Sequence, residues 1–480
     1  MDYFDDNIND DFGIPNKELK EKLELYWKDF RKASKKGERI FDLNTIENLT
    51  EYCLENEKYE EALDLSREWL KMMPDSIDAH CKLAFSLLNL DRSHDALKAI
   101  ENAILIGPDD SEALLLKATI LESLGKVEES KEIIMRLLED EPENADYHYA
   151  HANILQTARD FDSAIDIYLY LLENSEDYAL QIYQDLAFCF NAVEDYDKAL
   201  EYYEYAIQLN PFDSNLWYNK GVIYSNLMDT KKAIPAFDMA VTVEPGFFIA
   251  WFNLAHSYST ENRLEDSADA YLKALEIKPK DIDCLHNLAS VYGDLCLYEK
   301  ALELFEQIIE INPHLASAVY GAGLCFEILT KYDSAIECFD RAIALNNKYF
   351  EVYLSYSHLL LKLERNEEAI LLLKKAAKIA INERVFNDFI AINLFEMNDI
   401  EGTLSFLNEL LESTKHKREA ASMISFYISI VDAFKENQAK AREIFEIGYM
   451  TYSDDNFDWF VGDDIFNTMK KDYLDKNRAN

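Results

Sequence analysis

Two consecutive stretches of this chain are one thirty-four-residue unit written twice. SNLWYNKGVIYSNLMDTKKAIPAFDMAVTVEP ends at Pro245, and IAWFNLAHSYSTENRLEDSADAYLKALEIKP ends at Pro279. Trp217 and Trp251, Asn219 and Asn253, Gly221 and Ala255, Tyr224 and Tyr258, Phe237 and Tyr271, and Ala240 and Ala274 are each 34 residues apart, as are the two prolines. The register reaches far beyond this pair. The small residue that opens an Ala-x3-aromatic pattern recurs at Ala62, Ala96, Ser130, Ala164, Ala199, Ala233, Ser267, Ala301, Ala335, Ala369 and Thr403. Every interval is 34 except the 35 from Ala164 to Ala199. A second small residue precedes it by twelve, at Ala84, Ala118, Ala152, Ala187, Gly221, Ala255, Ala289, Gly323 and Ser357. Prolines close units at Pro74, Pro108, Pro142, Pro211, Pro245, Pro279 and Pro313.

A strict period of this length demands a structure that grows by stacking. Small residues at a helix crossing let two antiparallel backbones approach, and aromatics one turn away fill the space beside them. A closing proline cannot continue the second helix, so each unit begins the next at a fixed place. Only 12 Gly and 9 Pro in 480 residues leave little material for strands or long loops.

Tryptophan, a small residue four on, then Tyr, then Ala-x3-aromatic-x2-Ala and Pro, resembles the tetratricopeptide repeat, a helix–turn–helix unit. The resemblance implies an all-α, right-handed α-solenoid superhelix of about twelve tetratricopeptide-type helix pairs, with N- and C-terminal capping helices. Residues 1–15 hold five aspartates and no basic residue and are expected to be disordered. Residues 16–42 predict a capping helix, with Leu19, Leu23, Tyr26, Trp27 and Phe30 at helical spacing and Gly37 as its stop. Residues 43–383 form the regular array of ten units. Residues 384–455 hold divergent repeats, and 456–480 carry an apolar stripe suited to a C-terminal cap. Pro235 falls early in a second helix and predicts a mild bend.

The net charge is −43, from 48 basic and 91 acidic residues. A field of that sign repels phosphate backbones and anionic lipid, so nucleic acid and membrane insertion are excluded as partners, and a basic or neutral protein segment fits. The same charge suits the solubility of a large exposed surface. No run approaches a membrane span, and the start lacks a secretory signal. The seven cysteines form no CxxC pair and read as reduced, buried thiols. A cytoplasmic location follows.

In tetratricopeptide arrays the first helices line the concave groove, and the resemblance implies the same here. The fifth position of successive units reads Cys81, Leu115, Tyr149, Gln184, Tyr218, Phe252, His286 and Tyr320. The ninth reads Phe85, Thr119, Asn153, Phe188, Val222, His256, Ser290 and Leu324. Rings at a groove bury large area at small entropic cost, which suits peptide binding or packing between units. Asn219, Asn253 and Asn287 share the sixth position, between Asp185 and Gly321. That row is similar to the asparagine ladder of the nucleocytoplasmic O-linked N-acetylglucosamine transferase, which holds substrate chains by their main chain. Equally, the amides fit bonds to a neighbouring helix. Only Lys82 and Lys362 lie near the groove, so the carboxylate clamp of chaperone-binding relatives is disfavoured.

The expected binding residues are therefore Asn219, Asn253, Asn287, Tyr149, Gln184, Tyr218, Phe252, His256, His286 and Tyr320. No phosphate loop, nucleophile elbow or zinc motif occurs, so no catalytic residue, metal ligand or cofactor is expected. His148 and His151 share a helix face at three-residue spacing without further ligands, and read as ordinary helix residues. These features point to a non-catalytic protein-interaction scaffold that binds an extended or helical segment. The alternatives are a regulatory or substrate-recruiting subunit of an enzyme complex, and a helical-repeat RNA binder, which would need a basic groove.

Overall fold

A computed structural model describes residues 42–174 and 178–379, together with 404, 405 and 408. Among these residues the regular structure is twenty α-helices in ten consecutive pairs. The pairs are α1 Leu43–Glu55 with α2 Tyr59–Met72, α3 Ile77–Asn89 with α4 Ser93–Ile106, and α5 Ser111–Ser123 with α6 Val127–Asp140. Then come α7 Ala145–Thr157 with α8 Phe161–Asn174, α9 Ala179–Ala192 with α10 Tyr196–Leu209, and α11 Ser214–Asn226 with α12 Thr230–Val243. The last are α13 Phe248–Thr260 with α14 Leu264–Ile277, α15 Ile282–Asp294 with α16 Tyr298–Ile311, α17 Ala316–Ile328 with α18 Tyr332–Leu345, and α19 Phe350–Lys362 with α20 Asn366–Ile379. The chain divides into two compact units, the first ending at Met228 and the second beginning at Asp229. The expected capping segments and the divergent repeats after residue 383 lie outside the described residues.

Local chemistry sets each helix. Asp42, Ser76, Asp110, Asn144, Asp213 and Asp281 each cap a first helix by accepting a backbone N–H of its first turn. Each first helix ends in a turn with one left-handed residue. These are Glu57, Asp91, Gly125, Arg159, Glu194, Met228, Asn262, Cys296, Thr330 and Glu364. The next N–H reaches back five residues, as from Lys58 to the Cys53 carbonyl at 2.7 Å and from Arg365 to Leu360 at 2.9 Å. This Schellman closure satisfies carbonyls that a helix end otherwise leaves bare.

The unit-closing proline leaves a carbonyl that the next helix answers. Trp217 Nε1 donates to the Pro211 carbonyl at 2.9 Å, and Trp251 Nε1 to that of Pro245 at 3.0 Å. His80 Nε2 and His148 Nε2 lie 3.1 and 2.8 Å from the Pro74 and Pro142 carbonyls, and the Tyr353 hydroxyl donates to the Asn347 carbonyl. The tryptophan position is thus a donor position, which is why histidine and tyrosine also serve there.

Where helices cross, the small residues meet as their spacing requires. Ser130 Oγ donates to the Ala118 carbonyl at 2.6 Å, and Ser267 Oγ to that of Ala255 at 2.7 Å. Both serines are fully buried, as are Ala84, Ala152 and Ala187. At Gly323 a methyl group would stand 2.8 Å from the Phe339 ring, so even alanine is too large there. Pro235 is accommodated within α12, which keeps the 14-residue length of the other second helices. The extra residue of the 35-residue interval lengthens α9 to 14 residues, where the other first helices have 13. The N-cap residue of α9, Tyr178, is left-handed, and its side chain does not cap the helix.

The cysteine expectation needs one correction. All seven are free thiols, but Cys296 is exposed and Cys338 half-buried. Cys296 occupies a left-handed turn position outside the helix interior, where the Tyr298 hydroxyl donates to its sulfur at 3.5 Å.

Candidate functional site

The candidate face is built from the first helices, whose fifth, sixth and ninth positions recur one unit apart. The fifth-position rings do not stand free. Each leans on the aromatic of its own unit's second helix: Tyr149 on Tyr168, Phe252 on Tyr271, His286 on Phe305 and Tyr320 on Phe339, with centroids 5.6–6.1 Å apart. Tyr149 and Tyr320 also touch the residue before the next first helix. Tyr149 stacks on Tyr178 at 5.4 Å, and Tyr320 meets Tyr349 edge-on at 5.3 Å. Their hydroxyls then cross to the sixth position of the following unit. Tyr149 donates to Asp185 Oδ2 at 2.8 Å, and Tyr320 pairs with Ser355 Oγ at 2.8 Å. Burial raises the titration of both phenols above the ordinary tyrosine range.

The sixth position is a seat for the preceding unit. The Asn219 amide lies near the Tyr203 hydroxyl and the Asn287 amide near that of Tyr271, and each partly opposes the rise that burial gives its phenol. Both amides therefore face the second helix before their own. Phe237 precedes Asn253 by the same spacing, whereas Phe305 is matched by a glycine. A methyl group on Gly321 would stand 2.6 Å from Phe305 Cε1, so the ring itself fills the space. Asn253 and Tyr218 are half-buried on α13 and α11. Gln184 Nε2 donates to Asp213 Oδ2 at 3.3 Å, spanning α9 to the cap of α11.

The two groove histidines differ. His256 is exposed on α13. His286 is half-buried against Phe305, and that burial lowers its proton affinity while Asp283 partly opposes the effect. Phe85 and Phe188, both at the ninth position, are 39% and 46% exposed and are the more accessible rings of this face. Exposure could not be ranked from the repeat alone. The spacing was visible in it, because Asn219, Asn253, Asn287 and Gly321 follow Tyr203, Phe237, Tyr271 and Phe305 by sixteen residues.

Between α7 and α9 the face becomes polar and acidic. The Tyr168 hydroxyl donates to Asn153 Oδ1 at 2.6 Å and Gln156 Oε1 at 3.0 Å. Thr157 Oγ1 donates to Glu122 Oε1 at 2.6 Å. Burial raises the Glu122 carboxyl above its usual range and pushes Asp185 up to about 6. The basic side chains near this face are already engaged. Lys82 Nζ pairs with Glu51 Oε1 at 3.1 Å, Lys220 pairs with Glu204, and Lys362 lies over the Tyr332 ring.

Among the described residues no group of three His, Cys, Asp or Glu side chains gathers to hold a metal. His148 Nε2 is committed to the Pro142 carbonyl, and its ring lies on Tyr170 at 5.0 Å. No helix among them is long and apolar enough to cross a membrane.

Comparison with known proteins agrees with the repeat seen here. Family models described as tetratricopeptide repeat match residues 54–120, 93–154, 180–213, 202–234, 249–281, 286–349 and 329–383. An uncharacterized protein of Sinorhizobium fredii is 35% identical over 83 residues, 17% of this chain and 46% of the relative. A TPR repeat-containing protein of Methanocaldococcus jannaschii is 39% identical over 85 residues, 16% of this chain and 26% of the relative. The chain thus spans less than half the length of either curated relative. Among solved structures, MamA is 22% identical with a TM-score of 0.34, covering 35% of this chain and 93% of that one. Yeast Tom70 is 17% identical with a TM-score of 0.35, covering 90% and 99%. YrrB, described as a TPR protein with an unusual peptide-binding site, is 20% identical with a TM-score of 0.34, covering 38% and 94%. The matched segments, the ten helix pairs and the small-residue crossings make one assignment: this chain belongs to the tetratricopeptide-repeat family.

Proposed function

We propose that this chain is a non-catalytic scaffold that binds a segment of a partner protein along the face formed by its first helices. The observation that carries the reading is the pair of exposed ninth-position rings, Phe85 and Phe188, on a face whose lysines are internally paired. Each ring meets an aromatic of the preceding unit edge-on, Phe85 on Tyr59 and Phe188 on Phe161, and still leaves much of its surface open to contact with another chain. The net charge of −43 favours a basic or neutral segment. Tetratricopeptide proteins are generally interaction modules.

A photo-crosslinking amino acid placed at Phe188 in the full chain tests the proposal in the native cell. The control position is Leu105, 80% exposed on the second helix α4. Capture of the same protein from position 188 and not from 105 is the expected result. No capture from 188, or equal capture from both, would remove the first-helix face from the account.

A further inference from the structure

At two places the sixth position meets a tyrosine hydroxyl of the unit before, at Asp185 and at Ser355, and the first of these holds a negative charge. Asp185 on α9 stands where α11 and α15 carry Asn219 and Asn287. The Tyr149 hydroxyl donates to its Oδ2 at 2.8 Å. An amide oxygen accepts that bond equally well, without placing a carboxylate in a half-buried site. Among the described residues no Lys, Arg or His forms an ion pair with Asp185. The groups that feel its charge are Tyr149, Tyr168, Tyr203 and Cys189, all of them neutral near pH 7. Packing between helices thus explains an acceptor at this position and does not explain a charge.

The surroundings are aromatic. The Tyr149 and Tyr178 rings stack within 12° of parallel. Phe188, three residues beyond Asp185 on the same helix, is 46% exposed and meets Phe161 edge-on at 6.2 Å. A carboxylate among π faces, lacking a counter-ion, in a chain of net charge −43, is the chemistry that holds a guanidinium or ammonium group. We infer that Asp185, with Tyr149, Tyr178 and Phe188 beside it, is the seat for one basic side chain, arginine or lysine, of the bound protein segment. This rests on the scaffold reading and names the side chain that its α7–α9 portion selects.

The test uses the full chain and a positional library of short fluorescein-labelled peptides, arginine at each place compared with citrulline and lysine with norleucine. Wild type is expected to favour the charged member at one place by about tenfold or more, the scale of a desolvated charge pair. Asp185→Asn should erase that preference while leaving affinity for the uncharged member unchanged. It should also melt at or above the wild-type temperature, since the amide keeps the Tyr149 bond and removes a buried charge. Asp166→Asn, on the exposed side of α8, should keep the preference. If peptides bind and Phe188→Ala weakens them, yet charged and uncharged members bind alike or Asp185→Asn keeps the preference, the inference fails and the scaffold reading stands. Asp185→Asn melting well below wild type would make the carboxylate a structural group and overturn the inference. If no peptide binds and the cross-linker at position 188 captures nothing, both fall together.

Discussion

Asn287 sits sixteen residues after Tyr271, and its amide meets that tyrosine's hydroxyl across the unit boundary. Tyr271 is buried to within 1% of its surface, so a hydroxyl that loses this neighbour cannot turn to water. Asn287→Ala should therefore destabilise the chain by about 1–3 kcal/mol, the cost of orphaning a buried hydroxyl. Tyr271→Phe alone should cost about 1 kcal/mol, and the double variant little more than either, because both polar partners then leave together. Denaturant unfolding of the four proteins checks this. Strict additivity would show that the two groups do not serve one another. The sequence offered two roles for this amide, ligand ladder and helix tie, since one unit cannot show which neighbour an amide faces. The pairs across units, Tyr203 with Asn219 and Tyr271 with Asn287, fit the helix tie. The fifth-position rings posed the same difficulty. Tyr149 and Tyr320 were legible as face residues, but their contacts to Tyr178 and Tyr349 depend on where the preceding loop places its last side chain.

The helix pairs follow from the 34-residue register, and with them the crossings at Ala118–Ser130 and Ala255–Ser267. The turn between the helices of a pair was not legible, because glycine, its usual marker, holds the left-handed position only at Gly125. Elsewhere the Schellman bonds and the helices on either side hold an ordinary residue there against its preference. Thr330, with φ of 60°, is β-branched and so the most strained of these. Thr330→Gly is expected to stabilise the chain by about 0.5–1 kcal/mol, the relief of the left-handed conformation less the entropy that glycine adds to the unfolded state. Thermal unfolding reads it directly, and a lower melting temperature would mean that the threonine side chain contributes more than its backbone costs. The 35-residue interval was equally plain as an insertion but not as a place. It lengthens α9 at its start, where no proline closes the preceding unit and Tyr178 holds the N-cap in a left-handed conformation.

At the scale of the whole chain, charge was fully legible. With 91 acidic and 48 basic residues, repulsion between like charges opposes the folded state more at low ionic strength, where its reach is about 30 Å, than at physiological salt, where it is about 8 Å. The exposed ion pairs, such as Arg92–Asp95 and Arg365–Glu368, are worth little and are screened as well. Melting temperature should therefore rise as sodium chloride is added. A fall would show that these pairs outweigh the repulsion. The crossing of hydroxyls from one unit to the next has a consequence for how such a chain can change. Excising residues 282–315 would remove one full period and leave Asp281 poised to cap Ala316. The backbone would close without a slip. Yet Tyr271 would then face Gly321 where it had faced Asn287, a hydroxyl against a space kept for the Phe305 ring. Look-alike units are in this sense ordered like words in a sentence. Each is interchangeable by length and specific in what it asks of its successor, so recombination that preserves the period still meets a penalty at the seam.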